Sequence, residues 1–388
     1  MKNISDIKSC YGCGVCAIAC PRSLISVTLD NSGFYRPVIN TIKDCTNCGL
    51  CVSVCSYQDQ KKILADSEIL GYAVWSNDID VRSKCSSGGI AYELGRQFIN
   101  KGYKSCGVRY NIKDHRAEHY IASTVGELED SVGSKYLQSY TLAGFSKINR
   151  NENYIIFGTP CQIDSYRKYI NKFKTTGDFI LVDFFCHGVP SKKMWYKYLS
   201  TIQVKDNASE IYWRNKRYGW HNSWAIGINV SVGEEQKEDY FSLFTQGDMF
   251  FKMFLSDCCL GSACYDKCKY KLCSSSADIR LGDLWGTKYN EDQEGVSGVL
   301  AITELGDKTI NSLSNVTVLK ENVAVVTESQ MKKSPRKPAR YNSILNALES
   351  EKSLKTIYFR YVHIYIILKY PFNLFKRVIN KMKRILGV

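Results

Sequence analysis

The sequence has no run of uncharged apolar residues near the roughly 18–20 needed to span a bilayer. Its best stretch, residues 361–368, is bracketed by Arg360 and Lys369. The expectation is a soluble chain, at most peripheral to a membrane. The first ten residues lack an apolar core and a small-residue cleavage pattern, which favours a reducing, cytoplasmic setting over secretion. There is no G-x-G-x-x-G run, so direct use of a nicotinamide dinucleotide is unsupported. There is no C-x2-C-H run either, which removes covalent haem attachment of that type.

Acidic residues are scarce at one end only. The net charge is +14, and residues 331–388 hold 14 Lys and Arg against Glu349 and Glu351. The rest of the chain is close to neutral, so the basic character belongs to a tail and says little about the substrate of the main body. A length of 388 residues suggests two or three domains.

Cysteine is what the chain has in excess, with 17 residues. In a reducing compartment clustered cysteines ligate metal more often than they form bridges. Cys10, Cys13, Cys16 and Cys20 follow C-x2-C-x2-C-x3-C, and Cys45, Cys48, Cys51 and Cys55 repeat that spacing. Three cysteines two residues apart wrap one 4Fe–4S cube, and the fourth of each run reaches the other cube. One cluster then takes Cys10, Cys13, Cys16 and Cys55, and the other Cys45, Cys48, Cys51 and Cys20. Pro21 follows Cys20 as the motif expects, whereas Ser56 stands after Cys55. Small residues such as Gly12, Gly14, Ala17, Gly49 and Val52 would let the backbone approach the sulfides. The competing readings are a zinc ribbon and a disulfide scaffold, but zinc sites use pairs of C-x2-C rather than runs of four.

Between the runs, residues 24–29 and 34–39 read as two strands around the turn at Asp30–Gly33. From residue 71 to about 320, strand-like segments at 71–75, 154–157, 179–184, 225–230 and 299–303 alternate with helical ones at 90–100, 191–203 and 248–256. The expected fold is an α+β ferredoxin-like two-cluster module (1–62), an α/β domain (68–330), to which the resemblance described below assigns flavin binding, and a basic helical C-terminal tail (331–388). The tail opens on a Pro-rich basic linker at 332–340 and is interrupted at Pro371.

A second cysteine group comprises Cys258, Cys259, Cys264, Cys268 and Cys273, with Cys161 and Cys186 isolated at strand ends. A third cluster could draw on these seven. The alternative is that several are buried small hydrophobes. Cys85 and Cys106 read as structural.

Five segments carry a resemblance. They are Cys85-Ser86-Ser87-Gly88-Gly89, Gly133-Ser134-Lys135-Tyr136-Leu137-Gln138-Ser139, Gly158-Thr159-Pro160-Cys161-Gln162, Cys186-His187-Gly188-Val189-Pro190-Ser191 and the run from Ala277 to Gly286. In this order, behind a two-cluster module, they resemble the beta subunit family of coenzyme F420 hydrogenases and dehydrogenases, from about Cys10 to Arg340. The resemblance implies a non-covalent FAD on the α/β domain, with iron–sulfur clusters close enough to exchange electrons with it. Its binding residues would be Ser86, Ser87, Gly88, Gly89, Ser134, Lys135 and Thr159. A small-residue turn opening a helix suits a pyrophosphate; taken alone, the same turn is merely flexible. Lys135 is otherwise a solvated lysine. His187 would tune a cluster or move a proton, or is structural. The resemblance also implies Cys161, Cys186, Cys264 and Cys268 as ligands of a third cluster. The chain departs from the family's C-x2-C there, with three residues between Cys264 and Cys268.

The expected function is that of an iron–sulfur flavin-dependent oxidoreductase. Electrons from a ferredoxin or another donor protein pass through the clusters to FAD and leave as a pair to an unidentified small organic or sugar-linked substrate. Members with this arrangement are often associated with surface-polysaccharide genes. The alternatives are a non-catalytic electron-relay subunit of a larger hydrogenase or dehydrogenase complex, and an interaction module with structural clusters. No nucleic-acid partner is expected. Residues 352–388, with nine Lys and Arg and no acid, read either as an interfacial helix on the inner face of an anionic membrane or as a helix packed on the body.

Overall fold

The computed structural model describes residues 2–7, 9–59, 68–202, 208–232, 235–265 and 268–363. The end of the expected tail, residues 364–388, lies outside them, Pro371 included.

The N-terminal module is built as the cysteine repeat suggests. Helix α1 (Val15–Ile18) follows Gly14, strands β1 (Ile25–Leu29) and β2 (Tyr35–Ile39) form a hairpin, and helix α2 (Leu50–Ser53) follows Gly49. The hairpin pairs Ile25 with Ile39 and Leu29 with Tyr35. Its turn is shaped by Asp30, whose carboxylate accepts from the N–H groups of Ser32 and Phe34.

The main body runs β3 (Leu70–Ser76), α3 (Ile90–Asn100), β4 (Lys104–Asn111), β5 (Arg116–Ala122), β6 (Tyr154–Phe157), α4 (Pro160–Lys172), β7 (Phe179–Phe184) and α5 (Lys192–Ile202). It continues through β8 (Ala208–Tyr212), β9 (Ala225–Val232), β10 (Glu235–Leu243), α6 (Met249–Leu255), β11 (Ile279–Asp283), β12 (Ser297–Ala301), β13 (Val316–Glu321) and α7 (Tyr341–Glu349). Eight strands make one sheet in the order β13-β3-β12-β11-β7-β6-β4-β5, and β10-β9-β8 make a small antiparallel one. At the centre of the large sheet β11, β7, β6 and β4 are parallel. Strand β3 runs the same way, because both it and β11 are antiparallel to β12. The chain leaves β3, crosses to β4 and steps back through β6 and β7 to β11. The carboxyl ends of five strands therefore share one edge, where open α/β sheets collect ligands.

Both faces of the sheet are covered. Ile90, Leu94 and Phe98 of α3 pack with Val74, Ile155, Ile180, Val182 and Val299. On the other face Ile163 and Tyr166 of α4 share a core with Ile156, Leu181 and Phe145, and with Val15, Ala19 and Val54 of the N-terminal module. The module is thus part of the body's hydrophobic core. Close approach is written into its loop. Gly14 has φ +71, and a Cβ there would come within 2.3 Å of Thr141 Oγ1; one on Gly12 would come within 2.3 Å of Gln138 Nε2. Gln138 Nε2 donates to Tyr11 O, Gln138 Oε1 accepts from Tyr35 N, and Thr141 Oγ1 donates to Cys13 O. These two glycines make room for the body's loop, a use that the spacing alone assigns to the sulfides.

The described part of the tail packs on the body. Tyr341, Ile344, Leu345 and Leu348 of α7, with Leu354, Ile357, Tyr358 and Val362 beyond it, join a core built from α5, α6 and the small sheet. No helix among the described residues is long and apolar enough to cross a membrane.

Candidate functional site: thiol groups beside a cavity

None of the seventeen cysteines is in a disulfide. Cys10, Cys13, Cys16 and Cys55 come together around α1. Burial, then the charge of Cys55, pushes Cys13 up to about 12, and Cys16 is raised by burial and by Cys13, Cys10 and Cys55. Cys20, Cys45, Cys48 and Cys51 line one small cavity at the far side of the module, and Cys48 is exposed. Cys55 thus lies with the first three cysteines and Cys20 beside the second three.

Four of the seven remaining candidates also converge. Cys161 lies in the first turn of α4 and Cys186 just beyond β7. Cys161 is raised by burial, Cys186 and Cys264 among others. Cys264 is pushed up to about 12 by burial, with Cys186 and Cys268 contributing. The other three separate from this group. Cys258 and Cys259 are core residues against Met253 and Met194, and Cys273 packs beside Trp220 and Leu284. Cys106 is fully buried in the core.

Ser56, where the motif would carry a second proline, is fully buried. Its hydroxyl donates to Cys161 O at 3.1 Å, its N–H donates to Ser165 Oγ at 3.2 Å, and Ser165 Oγ donates back to Ser56 Oγ at 2.8 Å. Cys13 Sγ donates to the same Ser165 at 3.3 Å. Proline would remove both the N–H and the hydroxyl.

A cavity of about 480 Å³ opens at the carboxyl edge of the sheet, within the size range of small-molecule sites. Ser86, Ser87, Gly89, Ser134, Lys135 and Thr159 all line it, as do Cys186 and His187. Phe157, Phe184, Trp224, Phe254 and Trp285 supply aromatic wall. No side chain caps α3, whose first residues Ile90 and Ala91 face this space, so its N-terminal amides are suited to an anion. Gly88 sits behind them. Its N–H donates to Ser297 Oγ, its carbonyl accepts from Ser76 N, and a Cβ there would lie 2.6 Å from Val74 O. Its smallness serves packing of the loop on β3 and β12, a correction to its expected place in a phosphate cradle. Cys85, expected to be structural, lines the cavity and is pushed up to about 11 by burial.

Lys135 is brought down to about 7 by burial, and its ammonium donates to Val132 O at 2.8 Å and Asp130 O at 3.3 Å. His187 lies 2.7 Å from the Asp257 carboxylate. Sequence reasoning missed the residues that brace the loop at 85–89. Arg214, with a fully buried side chain, lies between the rings of Trp224 and Trp285. It donates to Asp283 Oδ2 at 2.9 Å and to Ser86 O at 3.3 Å. Lys216 donates to Ser87 O at 2.8 Å and to Arg82 O at 2.6 Å, and burial brings it to about 8. The run Trp213-Arg214-Asn215-Lys216-Arg217 carries no motif that would single these residues out.

Both cofactor types fit the residues present. The thiols gather in three groups, and burial pushes up Cys13, Cys16, Cys55, Cys161, Cys186 and Cys264, which disfavours their thiolates unless a cation compensates. The cavity offers an uncapped helix N-terminus, hydroxyls and aromatic walls.

Residues 9–58 match the family model of the 4Fe-4S dicluster domain. Residues 151–325 match that of the C terminus of the coenzyme F420 hydrogenase/dehydrogenase beta subunit. No curated protein matches the sequence. Among solved structures, the xenon derivative of the F420-reducing NiFe hydrogenase complex from Methanosarcina barkeri contains a similar chain, 15% identical over 74% of this chain and 88% of that one, with a TM-score of 0.47. By these two matches the chain is similar to the coenzyme F420 hydrogenase/dehydrogenase beta subunit over residues 151–325, behind a 4Fe-4S dicluster domain at residues 9–58.

Proposed function

We propose that this chain is an iron–sulfur flavoprotein oxidoreductase that links a one-electron donor protein to a two-electron reaction in the cavity. The observation that carries the reading is the succession of thiol groups. The set at Cys20, Cys45, Cys48 and Cys51 reaches the surface at Cys48. Cys51 acts electrostatically on Cys16 of the next set, and Cys13 of that set acts on Cys161. Cys186, which neighbours Cys161, lines the cavity. Three 4Fe–4S clusters held by Cys20/Cys45/Cys48/Cys51, Cys10/Cys13/Cys16/Cys55 and Cys161/Cys186/Cys264/Cys268 would form a path of one-electron centres from the surface to the substrate.

FAD, held by Ser86, Ser87, Ser134, Lys135, Thr159 and the N-terminus of α3, would supply the exchange between one-electron and two-electron chemistry. The chain's own residues orient, line the cavity and handle protons. Arg214 and Lys216 fix the Ser86 and Ser87 carbonyls, aromatic rings line the cavity, and Lys135, near neutrality, can give or take a proton at Nζ. The substrate would be a small organic or sugar-linked molecule.

The family description names a beta subunit, which supports a second reading, a relay that feeds another enzyme in a larger complex. Anaerobic reconstitution followed by iron, sulfide and flavin analysis tests the first reading. Bound FAD together with about twelve iron atoms is the expected result; no flavin after reconstitution overturns the flavoenzyme, and zinc in place of iron overturns the cluster path. Turnover by the isolated chain with reduced ferredoxin separates enzyme from relay.

A further inference from the structure

Between the third thiol group and the cavity lies a half-buried cation. Lys271 lines the cavity, and its ammonium donates to Cys186 O at 2.6 Å and to His187 O at 3.3 Å, with Met331 Sδ at 4.0 Å. The half-buried Arg82 and Arg167 meet carboxylates, whereas Lys135 and Lys216, like Lys271, donate to backbone carbonyls. Lys271 has no ion-pair partner among the described residues. A charge withdrawn from water is costly unless an opposite charge compensates it.

Its position is held from both sides. Leu272 O accepts from Arg280 Nη1, and Arg280 is fully buried in a two-point pair with Asp183 at 2.7 Å. Tyr270 donates its hydroxyl to Asp164 at 2.6 Å. Leu272 takes φ +52 to turn the chain back. The lysine is thus a fixed element of the wall rather than a mobile surface arm. Its field reaches the thiols, lowering Cys186 and Cys264 against the larger upward push of burial.

We propose that Lys271 is the counter-charge of the third redox centre, a positioning residue that raises the reduction potential of a cluster held by Cys161, Cys186, Cys264 and Cys268. This rests on the three-cluster reading above. Four thiolates around an iron–sulfur core leave net negative charge, and reduction adds one electron more. A cation at hydrogen-bond distance from a ligand's own carbonyl stabilises the reduced state more than the oxidised one. The effect is to draw electrons to the centre beside the cavity, the last before the substrate.

The experiment is a redox titration of the anaerobically reconstituted full chain, followed by electron paramagnetic resonance, with iron counted on the same samples. Lys271→Gln keeps a donor for the Cys186 carbonyl but removes the charge; Lys271→Arg keeps the charge. Expected is an about tenfold fall in the reduced-to-oxidised ratio of one centre at fixed poise in Lys271→Gln, about 59 mV for a one-electron couple, with Lys271→Arg near wild type. An unmoved potential in Lys271→Gln at about twelve iron atoms overturns the counter-charge while leaving the three-cluster reading intact. If Lys271→Gln loses the third centre, Lys271→Arg decides: retention of its iron supports the charge, and loss there too overturns it. About eight iron atoms in the wild type overturns the three-cluster reading itself, and the proposal with it.

Discussion

Ser165 ties two of the thiol groups together with one hydroxyl. It accepts from Cys13 and Ser56 N and donates to Ser56 Oγ, which donates to Cys161 O. Ser165→Ala would leave the Ser56 N–H and hydroxyl without this partner in a site closed to water, at a cost of about 1–3 kcal/mol. The expected result is a lower denaturant midpoint with an unchanged slope; an unchanged midpoint would show that water replaces the hydroxyl. Lys135 makes a pH prediction. Its folded value of about 7 lies below the ordinary 10.5 because burial disfavours the ammonium. Below about 7 both folded and unfolded chains carry the proton, so folding bears the whole cost of burying the charge. Between the two values the unfolded chain binds more protons, stability rises with pH, and above the ordinary value the cost is gone. Lys135→Met should therefore raise the melting temperature most near about pH 6 and least above about pH 10. A constant difference across that range would mean that the amine does not titrate in this window.

The elements differ in how openly the sequence announced them. The short helices α1 and α2 were not announced by the sequence, whereas the strands β1 and β2 stood out as apolar runs at 24–29 and 34–39 around a turn. Helix α3 was readable from Ile90, Leu94 and Phe98, and the parallel strands β6 and β7 from continuous apolar runs, because both sheet faces are covered. Strands β4 and β5 escaped because their residues include Arg109, Arg116 and Glu118, whose charges are satisfied within the sheet: Arg109 bonds Glu118 across the pair and Arg116 bonds it along β5. Helix α4 escaped because its one apolar stripe is short and its other faces carry the contacts to the module. The tail divides in two. Basic residues suggested a surface element, yet α7 is amphipathic and its apolar face is core. Ile344→Ala should cost about 2–5 kcal/mol, as for other fully buried aliphatic side chains. Truncation after Arg340 should accordingly destabilise the whole chain, seen as a collapsed melting transition rather than as release from anionic vesicles alone. A truncated chain that melts like the intact one would make the packing of α7 incidental and return the segment to the membrane reading.

At the scale of the molecule, the arrangement places the dicluster domain on one face of the sheet and the cavity at the sheet's carboxyl edge, with the third thiol group between them. The sequence showed the first eight cysteines as a set because their spacing is local. Spacing alone could not select four of the other seven, and only the family resemblance pointed to Cys161, Cys186, Cys264 and Cys268, because these meet only through the ordering of β6, β7 and the segment after α6. Their order along the path sets up a test of the whole reading. Removing Cys186 and Cys264 together, as Cys186→Ser/Cys264→Ser, touches neither set in the module and neither Ser56 nor Ser165. Iron should fall from about twelve to about eight atoms per chain, while the two module clusters remain reducible by dithionite. Flavin loaded into the wild-type chain should be reduced through the module by reduced ferredoxin, and in the double variant that transfer should slow by at least about a hundredfold, since a break of one centre lengthens the path by a cluster's width. Flavin reduction by a small diffusing donor that enters the cavity directly should be unaffected. If ferredoxin reduces the flavin of the double variant as fast as that of the wild type, the electrons reach the cavity by another route, and the line of thiol groups is not the wire.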